Sequence, residues 1–285
     1  MSSAARLREL LARDAMVVAP GVYDGITARA VERAGFDAVY MTGAGTAAAL
    51  GYPDYGLATM TEMVENAGRI AAAVSIPLIA DADTGYGNEL NVVRTVREHE
   101  RRGVAAIHLE DQVFPKRCGH LDEKRVIGAE EFFSKIRAAA SARSNPDFVI
   151  IARTDARAVA GFDEAIERAN GALDAGADVA FVEAPESLDE VREVPRRVRG
   201  PCLLNYVLGG KTPALDLDAA ETVGYRLAIV PGVLLVTSLL ACEDALEELR
   251  AKRRHPRPTR AMSLKEVFRR FGADEWDAIR RFGSS

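Results

Sequence analysis

The sequence predicts an α/β fold, a parallel (β/α)8 barrel of TIM type, on three observations. Eight short apolar runs are spread along the chain, amphipathic stretches separate them, and a length of 285 residues suits one such unit. The runs lack the strict alternation of a sheet with one wet face, so they read as strands buried on both sides. Buried strands alternating with helices build a parallel sheet.

MSSAARLRELLARD, at the start, reads as a short amphipathic helix without the apolar stretch of a secretion signal. Strands are expected at MVVAP from Met16, AVYMTG from Ala38, PLIADAD from Pro77 and AIHLED from Ala106. Four more are expected at FVIIARTD from Phe148, VAFVEA from Val179, PCLLNYV from Pro201 and RLAIVP from Arg226. TEMVENAGRIAAAV, LNVVRTVREHERRG and DEAIERANGALDAG read as helices between them. In the second of these, Leu90, Val93 and Val96 mark the apolar face and Gly103 the stop; Gly176 stops the third. A doubly wound open sheet is the competing arrangement. It is weakened because TGAGTAAALG, after the second strand, lacks both GxGxxG spacing and the acidic residue expected downstream.

After the eighth strand come a long helix, a basic connector (AKRRHPRPTR, Ala251 to Arg260) and two short helical pieces. The proline spacing of the connector reads as a solvated linker. We therefore expect one barrel domain over 1–285, with the barrel in 1–252 and a helical extension in 253–285 that packs on a partner subunit.

A formal net charge of -5 gives no reason to expect nucleic acid or an anionic membrane as partner. No apolar span reaches the roughly 18 residues of a membrane helix. Three cysteines without CxxC spacing fit a reducing, cytoplasmic setting rather than a disulfide framework or a zinc site. Cys202 and Cys242 lie in apolar context and are expected in the core.

Barrel enzymes carry their working groups at the C-terminal strand ends. Here those ends hold Tyr40 to Ala44, Asp81 and Asp83, His108 to Asp111, Arg153 to Asp155, Glu183 and Asn205. Asp81 and Asp83, two apart on a strand, are expected to share a face. Converging carboxylates repel unless a cation or proton lies between them. With Glu110 from the neighbouring strand they make an all-oxygen set suited to Mg2+ or Mn2+ and not to zinc. The plainer reading is that Asp83 turns the chain and Asp81 caps it. Arg153 is costly to bury unpaired; it serves as partner to Glu183, as a clamp on a substrate carboxylate, or as both. Cys118 sits in PKRCGH beside Lys116, Arg117 and His120, and neighbouring cations lower a thiol's pKa toward neutrality. A group so poised can transfer a proton. The alternative is a surface cysteine in a basic loop.

With these residues placed, the chain resembles the isocitrate lyase / phosphoenolpyruvate mutase superfamily, from VVAPGVYDGITARAVERAGFDAVYMTGAGTAAALGYPD to the VPG after the eighth strand. KRCGH, DADTGYGN, HLEDQ, IIARTDA and NYVLGGKTP carry the likeness. The resemblance implies that Tyr40, Thr42, Gly43 and Ala44 hold a pyruvyl group. It implies that Asp81 and Asp83 bind Mg2+ with Glu110 in its water shell, and that Asp54 faces the same site. Cys118 would be the proton donor on a gating loop, with Gly119 and His120 at the substrate carboxylate. Arg153, Glu183 and Asn205 would complete the carboxylate contacts. The family arrangement further implies a C-terminal helix swapped between subunits of a homotetramer.

KRCGH resembles the loop of the carbon–carbon lyases. Lyases of methylisocitrate carry an arginine where this chain has Val236, and a valine cannot pair a third carboxylate. GGKTP and MSLKEVF look more like lyases of smaller 2-hydroxydicarboxylates such as 2,3-dimethylmalate. They also resemble carboxyphosphonoenolpyruvate mutase, the next reading, with oxaloacetate decarboxylase third.

Overall fold

The structure, a computed structural model, describes residues 1–213, 215–257 and 260–282. Eight parallel strands close into a barrel in chain order, β1 pairing with both β2 and β8. They are β1 (Val17–Val22), β2 (Val39–Met41), β3 (Leu78–Asp81), β4 (Ala106–Glu110), β5 (Val149–Thr154), β6 (Val179–Val182), β7 (Cys202–Asn205) and β8 (Leu227–Val230). Seven fall within the expected runs, and β1 overlaps its run but continues two residues past it, through Gly21 and Val22. The helices are α1 (Ser3–Leu11), α2 (Gly25–Arg33), α3 (Gly43–Ala49), α4 (Met60–Ala73), α5 (Glu89–Arg101), α6 (Ala129–Ala142) and α7 (Arg157–Ala160). They continue with α8 (Phe162–Asp174), α9 (Leu188–Arg197), α10 (Leu217–Val223), α11 (Val233–Lys252), α12 (Leu264–Arg270) and α13 (Ala273–Phe282).

The strands are apolar throughout because both faces are covered. Val17, Ala19, Ile79, Ala106, Ile151, Phe181, Leu203 and Leu227 pack with Ala4, Leu7 and Leu10 of α1. That helix thus closes the end of the barrel from which the strands start. Alternate residues such as Met41, Leu78, Ala80, Ile107 and Ile150 pack instead with Met63, Ile70, Val96 and Phe132 of the helices. With one end plugged, chemistry is left to the other.

Helix ends follow local rules. Thr59 and Glu62 form a capping box at α4, and Gly103 and Gly176, with φ of 78° and 109°, follow α5 and α8. The apolar face expected for α5 is corrected in one respect. Leu90 is 78% exposed, and the buried stripe runs through Val92, Thr95, Val96 and His99. Leu90 lies two residues before Val92, roughly 200° round the helix from it, and so faces away from the buried stripe.

His99 is fully buried and bonds Thr95 O through Nδ1 at 2.8 Å. Burial pushes its pKa down from 6.5 to about 4, so the native state resists a proton that the unfolded chain accepts. Stability therefore falls as pH drops from 6.5 toward 4, by about 3 kcal/mol for this residue. Urea titrations should show that pH-dependent loss in the wild type and a shallower one in His99→Gln.

The chain divides into two compact units, residues 1–235 and 236–285, the boundary falling within α11. In the second unit Leu239, Leu246, Leu264, Phe268, Trp276 and Ile279 are exposed. Cys242 is exposed as well, against the expectation of a core residue, because α11 buries none of its side chains. Cys202 is buried as expected, and no cysteine is in a disulfide. Pro258 and Thr259 of the basic connector, and Gly283 to Ser285 of the expected extension, lie outside the described residues. No helix among the described residues is long and apolar enough to cross a membrane.

Candidate active site

At the C-terminal end of the barrel the strands deliver a chain of buried polar groups. Asp81 ends β3, and its Oδ2 accepts from Gly43 N at 3.0 Å and from Tyr40 Oη at 3.3 Å. A Cβ on residue 43 would lie 2.9 Å from Asp81 Cγ, so glycine permits the approach. His108 Nε2, from β4, lies 3.0 Å from Asp81 Oδ1 and 2.9 Å from Tyr40 Oη. Burial acts to raise the Asp81 pKa, but the charges of His108 and Lys116 outweigh it and hold the carboxyl well below its usual range. Thr42 caps α3 through Gly45 N.

Asp83 does not share a strand face with Asp81. β3 ends at Asp81, Asp83 takes a left-handed backbone with φ 46°, and its N–H donates to Asp81 Oδ1 at 2.9 Å. The turn sends the second carboxylate toward Lys116 Nζ, 2.9 Å from Asp83 Oδ1. Lys116 also pairs with Asp54 at 2.5 Å. Burial raises Asp83 to about 6, opposed by Lys116. Glu110, 1% exposed, is raised well above the usual carboxylate value, by burial first.

Arg153, on β5, faces three carboxylates. Asp155 is nearest, with its Oδ2 2.9 Å from Nε and its Oδ1 3.2 Å from a terminal nitrogen. Glu110 and Glu183 follow at 3.3 and 3.5 Å. The guanidinium lies 5.1 Å from the Phe181 ring centroid, within reach of a cation–π contact. Asp111 holds Asp155 in place by accepting from Asp155 N at 2.8 Å and Thr154 Oγ1 at 2.7 Å. Asn205 Nδ2, on β7, donates to both Glu183 oxygens at 3.2 and 3.1 Å.

The segment between β4 and α6 covers this floor. A bridge between Gln112 and Val126 pins its base, and Gln112 brackets the backbone of Arg117 with bonds of 2.8 and 3.0 Å. His120 Nδ1 accepts from Lys211 N at 3.1 Å, and Lys124 Nζ pairs with Asp155 Oδ1 at 2.8 Å. A Cβ on Gly119 would strike Glu183 and Arg153, so only glycine lets the backbone pass so close. The expected lowering of the Cys118 thiol is overturned. Lys116 turns to Asp54 and Asp83, Arg117 turns out to Glu123, and burial pushes the thiol up.

A cavity of about 130 Å3 lies between floor and cover, lined by Tyr40, Thr42, Ala44, Asp81, Cys118, Gly119, His120, Arg153, Glu183 and Asn205. Gly43, Asp83 and Glu110 do not line it and stand behind that surface. A larger cleft of about 340 Å3, beside Phe133 and Arg199, gathers no such set of buried charges. Lys116, which also lines the cavity, was read from the sequence only as a cation beside Cys118, and Lys124, which with Asp155 holds the cover, had no role there. Asp155 was visible there only as a strand-end acid.

Whether these residues fit a divalent cation turns on their unused oxygens. Asp83 Oδ1 and both Glu110 carboxylate oxygens are buried without a hydrogen bond; the nearby Lys116 and Arg153 nitrogens make charge contacts outside bonding alignment. Buried acceptors without donors, in an all-carboxylate set, suit Mg2+. Among the described residues no group of three or more Asp, Glu, His or Cys side chains is already arranged to hold a metal ion.

A family profile described as Phosphoenolpyruvate phosphomutase matches residues 7–250. The chain is 51% identical over 245 residues to 2,3-dimethylmalate lyase of Eubacterium barkeri, covering 86% of this chain and 85% of that one. It is 48% identical over 246 residues to 2-methylisocitrate lyase of Aeropyrum pernix, covering 86% and 79%. The solved structure of oxaloacetate acetylhydrolase with the inhibitor 3,3-difluorooxalacetate superposes with a TM-score of 0.96 at 39% identity, covering 100% and 98%. The barrel, its covered cavity and these likenesses agree, and the chain belongs to the phosphoenolpyruvate mutase / isocitrate lyase superfamily as one of its lyases.

Proposed function

We propose that the chain is a Mg2+-dependent carbon–carbon lyase that cleaves a 2-hydroxydicarboxylate of the 2,3-dimethylmalate or 2-alkylmalate type to pyruvate and a carboxylic acid. The observation that carries this is the partly buried Cys118 thiol, facing the same small cavity as Arg153, Glu183 and Asn205. Mg2+ (or Mn2+), held by Asp81 with Asp83 and Glu110, would lower the pKa of the substrate hydroxyl and bind the adjacent carboxylate. Tyr40, Thr42, Gly43 and Ala44 receive the pyruvyl portion. The C2 hydroxyl gives up its proton to solvent, and as C2 becomes a carbonyl the electrons of the C2–C3 bond pass to the departing carbon and its own carboxylate. Arg153, Asn205, Gly119 and His120 stabilise that charge, and Cys118 delivers the proton. The seated cover keeps water from competing for it.

Val236, in place of the family's arginine, supports a substrate without a third carboxylate, although 2-methylisocitrate lyase is a relative. A panel of 2,3-dimethylmalate, 2-alkylmalates, 2-methylisocitrate and oxaloacetate, read by a coupled 2-oxo acid assay, tests this. We expect fastest release from 2,3-dimethylmalate and loss of activity on chelation. Absence of any released 2-oxo acid rejects the reading, and phosphorus NMR with carboxyphosphonoenolpyruvate tests the mutase alternative.

The exposed apolar side chains of the second unit support a homotetramer with swapped C-terminal helices, and the formal net charge of -5 supports no nucleic-acid or anionic-membrane partner. Light scattering on the eluting protein is expected to give four times 30.8 kDa. Three unpaired cysteines suit the cytoplasm.

A further inference from the structure

The cover segment brings two lysines into the floor, and Lys116 answers only the acids around Asp81. Lys124 meets a different carboxylate. Its side chain is 1% exposed, and it is 2.8 Å from Asp155 Oδ1, itself fully buried. It also donates to the carbonyl of Gly119. Asp155 is the acid closest to Arg153. Arg153 and Asp155 alone make a neutral pair; Lys124 converts them into a trio with one net positive charge. Glu110 and Glu183 face the guanidinium with Lys124 seated, so Lys124 cancels one of the three carboxylates that screen it from the cavity. Charges this deep are poorly screened by solvent, so removing one alters anion binding by about tenfold.

The seating of the segment is itself electrostatic. Ile127 packs against the core only at the base of the segment, whereas Phe114 and Leu121, farther out, are 54% and 42% exposed and do not anchor it. Lys116 on Asp54 and Asp83, Lys124 on Asp155, and Lys211 on Asp122 hold it instead. The position of the segment therefore decides whether Asp155 has Lys124.

We propose that Lys124 is a positioning residue that couples seating of the cover to the strength of Arg153 as an anion partner. Seated on Asp155, it cancels that carboxylate and leaves more of the guanidinium's charge to the substrate carboxylate. With the cover lifted, Asp155 reclaims Arg153 and the site holds anions weakly. The inference rests on the proposed reading of Arg153 as carboxylate partner.

Oxalate, a small dianion, is the probe, titrated calorimetrically into Mg2+-loaded protein so that no turnover is needed. Lys124→Met is expected to weaken binding about tenfold, and Lys124→Arg to stay within about threefold. In an Asp155→Asn background the methionine substitution should change binding by less than about twofold, because the charge to be cancelled is gone. A tenfold loss that persists in that background overturns the inference, as do equal losses for methionine and arginine. Should Asp155→Asn fail to fold, the methionine-against-arginine comparison decides alone. Wild-type turnover with oxalate binding indifferent to Lys124→Met sinks the coupling but keeps the reaction. A wild type that binds oxalate with the expected pattern yet cleaves nothing sinks the reaction alone. No oxalate binding at all sinks both.

Discussion

Replacing Cys118 with serine lowers kcat for 2,3-dimethylmalate cleavage by about a thousandfold while KM moves less than about threefold, within the range for loss of a general acid. A hydroxyl is far less acidic than a thiol and cannot protonate a stabilised carbanion at a comparable rate. The thiol of the wild type also has a pH signature. Its pKa is pushed up from 9.0, first by burial, with Asp54 and Glu183 adding to the effect and the His120 backbone opposing it. The donor must be protonated to act, so a raised pKa moves the alkaline limb of the kcat profile above pH 9. A limb near neutrality, or a loss of only a few-fold in Cys118→Ser, would remove the thiol from the proton-transfer step.

Arg153→Met produces the largest stability loss of any single change we anticipate, about 3–5 kcal/mol. Asp155, Glu110 and Glu183 all lie within 3.5 Å of that guanidinium and are buried. Without it, charge is left in a low-dielectric interior, and those acids take up protons instead. Arg153→Lys keeps the charge but not the fork, and is expected to lose roughly 1–2 kcal/mol. Urea denaturation at fixed protein concentration separates the two variants. Equal stability of Arg153→Met and wild type would show that the cluster is not held by this cation.

The barrel was legible because each parallel strand is covered on both faces and appears as an uninterrupted apolar run. Glycines and prolines mark the ends of those runs. Strand ends were legible for a related reason: Arg153, Glu183 and Asn205 are polar residues closing apolar segments, where burial demands a partner or a ligand. Less legible was the direction of each polar group. Asp83 reads as a strand neighbour of Asp81, yet the backbone leaves β3 between them and turns it toward Lys116. Leu90 fits the helical period and still faces outward, because periodicity gives a spacing and not which side of the helix meets the core. Lys116 and Arg117 flank Cys118 in sequence and point elsewhere.

What the sequence determined by itself is the barrel, the order of its strands, and the concentration of acids, one arginine and one thiol at a single rim. These are properties of short segments, in which apolar period, caps and strand-end polarity act locally. The tertiary structure decided which charge meets which. Lys124 and Asp155 are 31 residues apart and Lys116 and Asp54 are 62 apart, yet each pair is joined across the rim. Closure of the barrel and folding of its cover bring them together, and the same folding sets the thiol's acidity, through burial first, and the charge left on Arg153. A buried group's pKa depends on its neighbours in space, and chain spacing does not encode them.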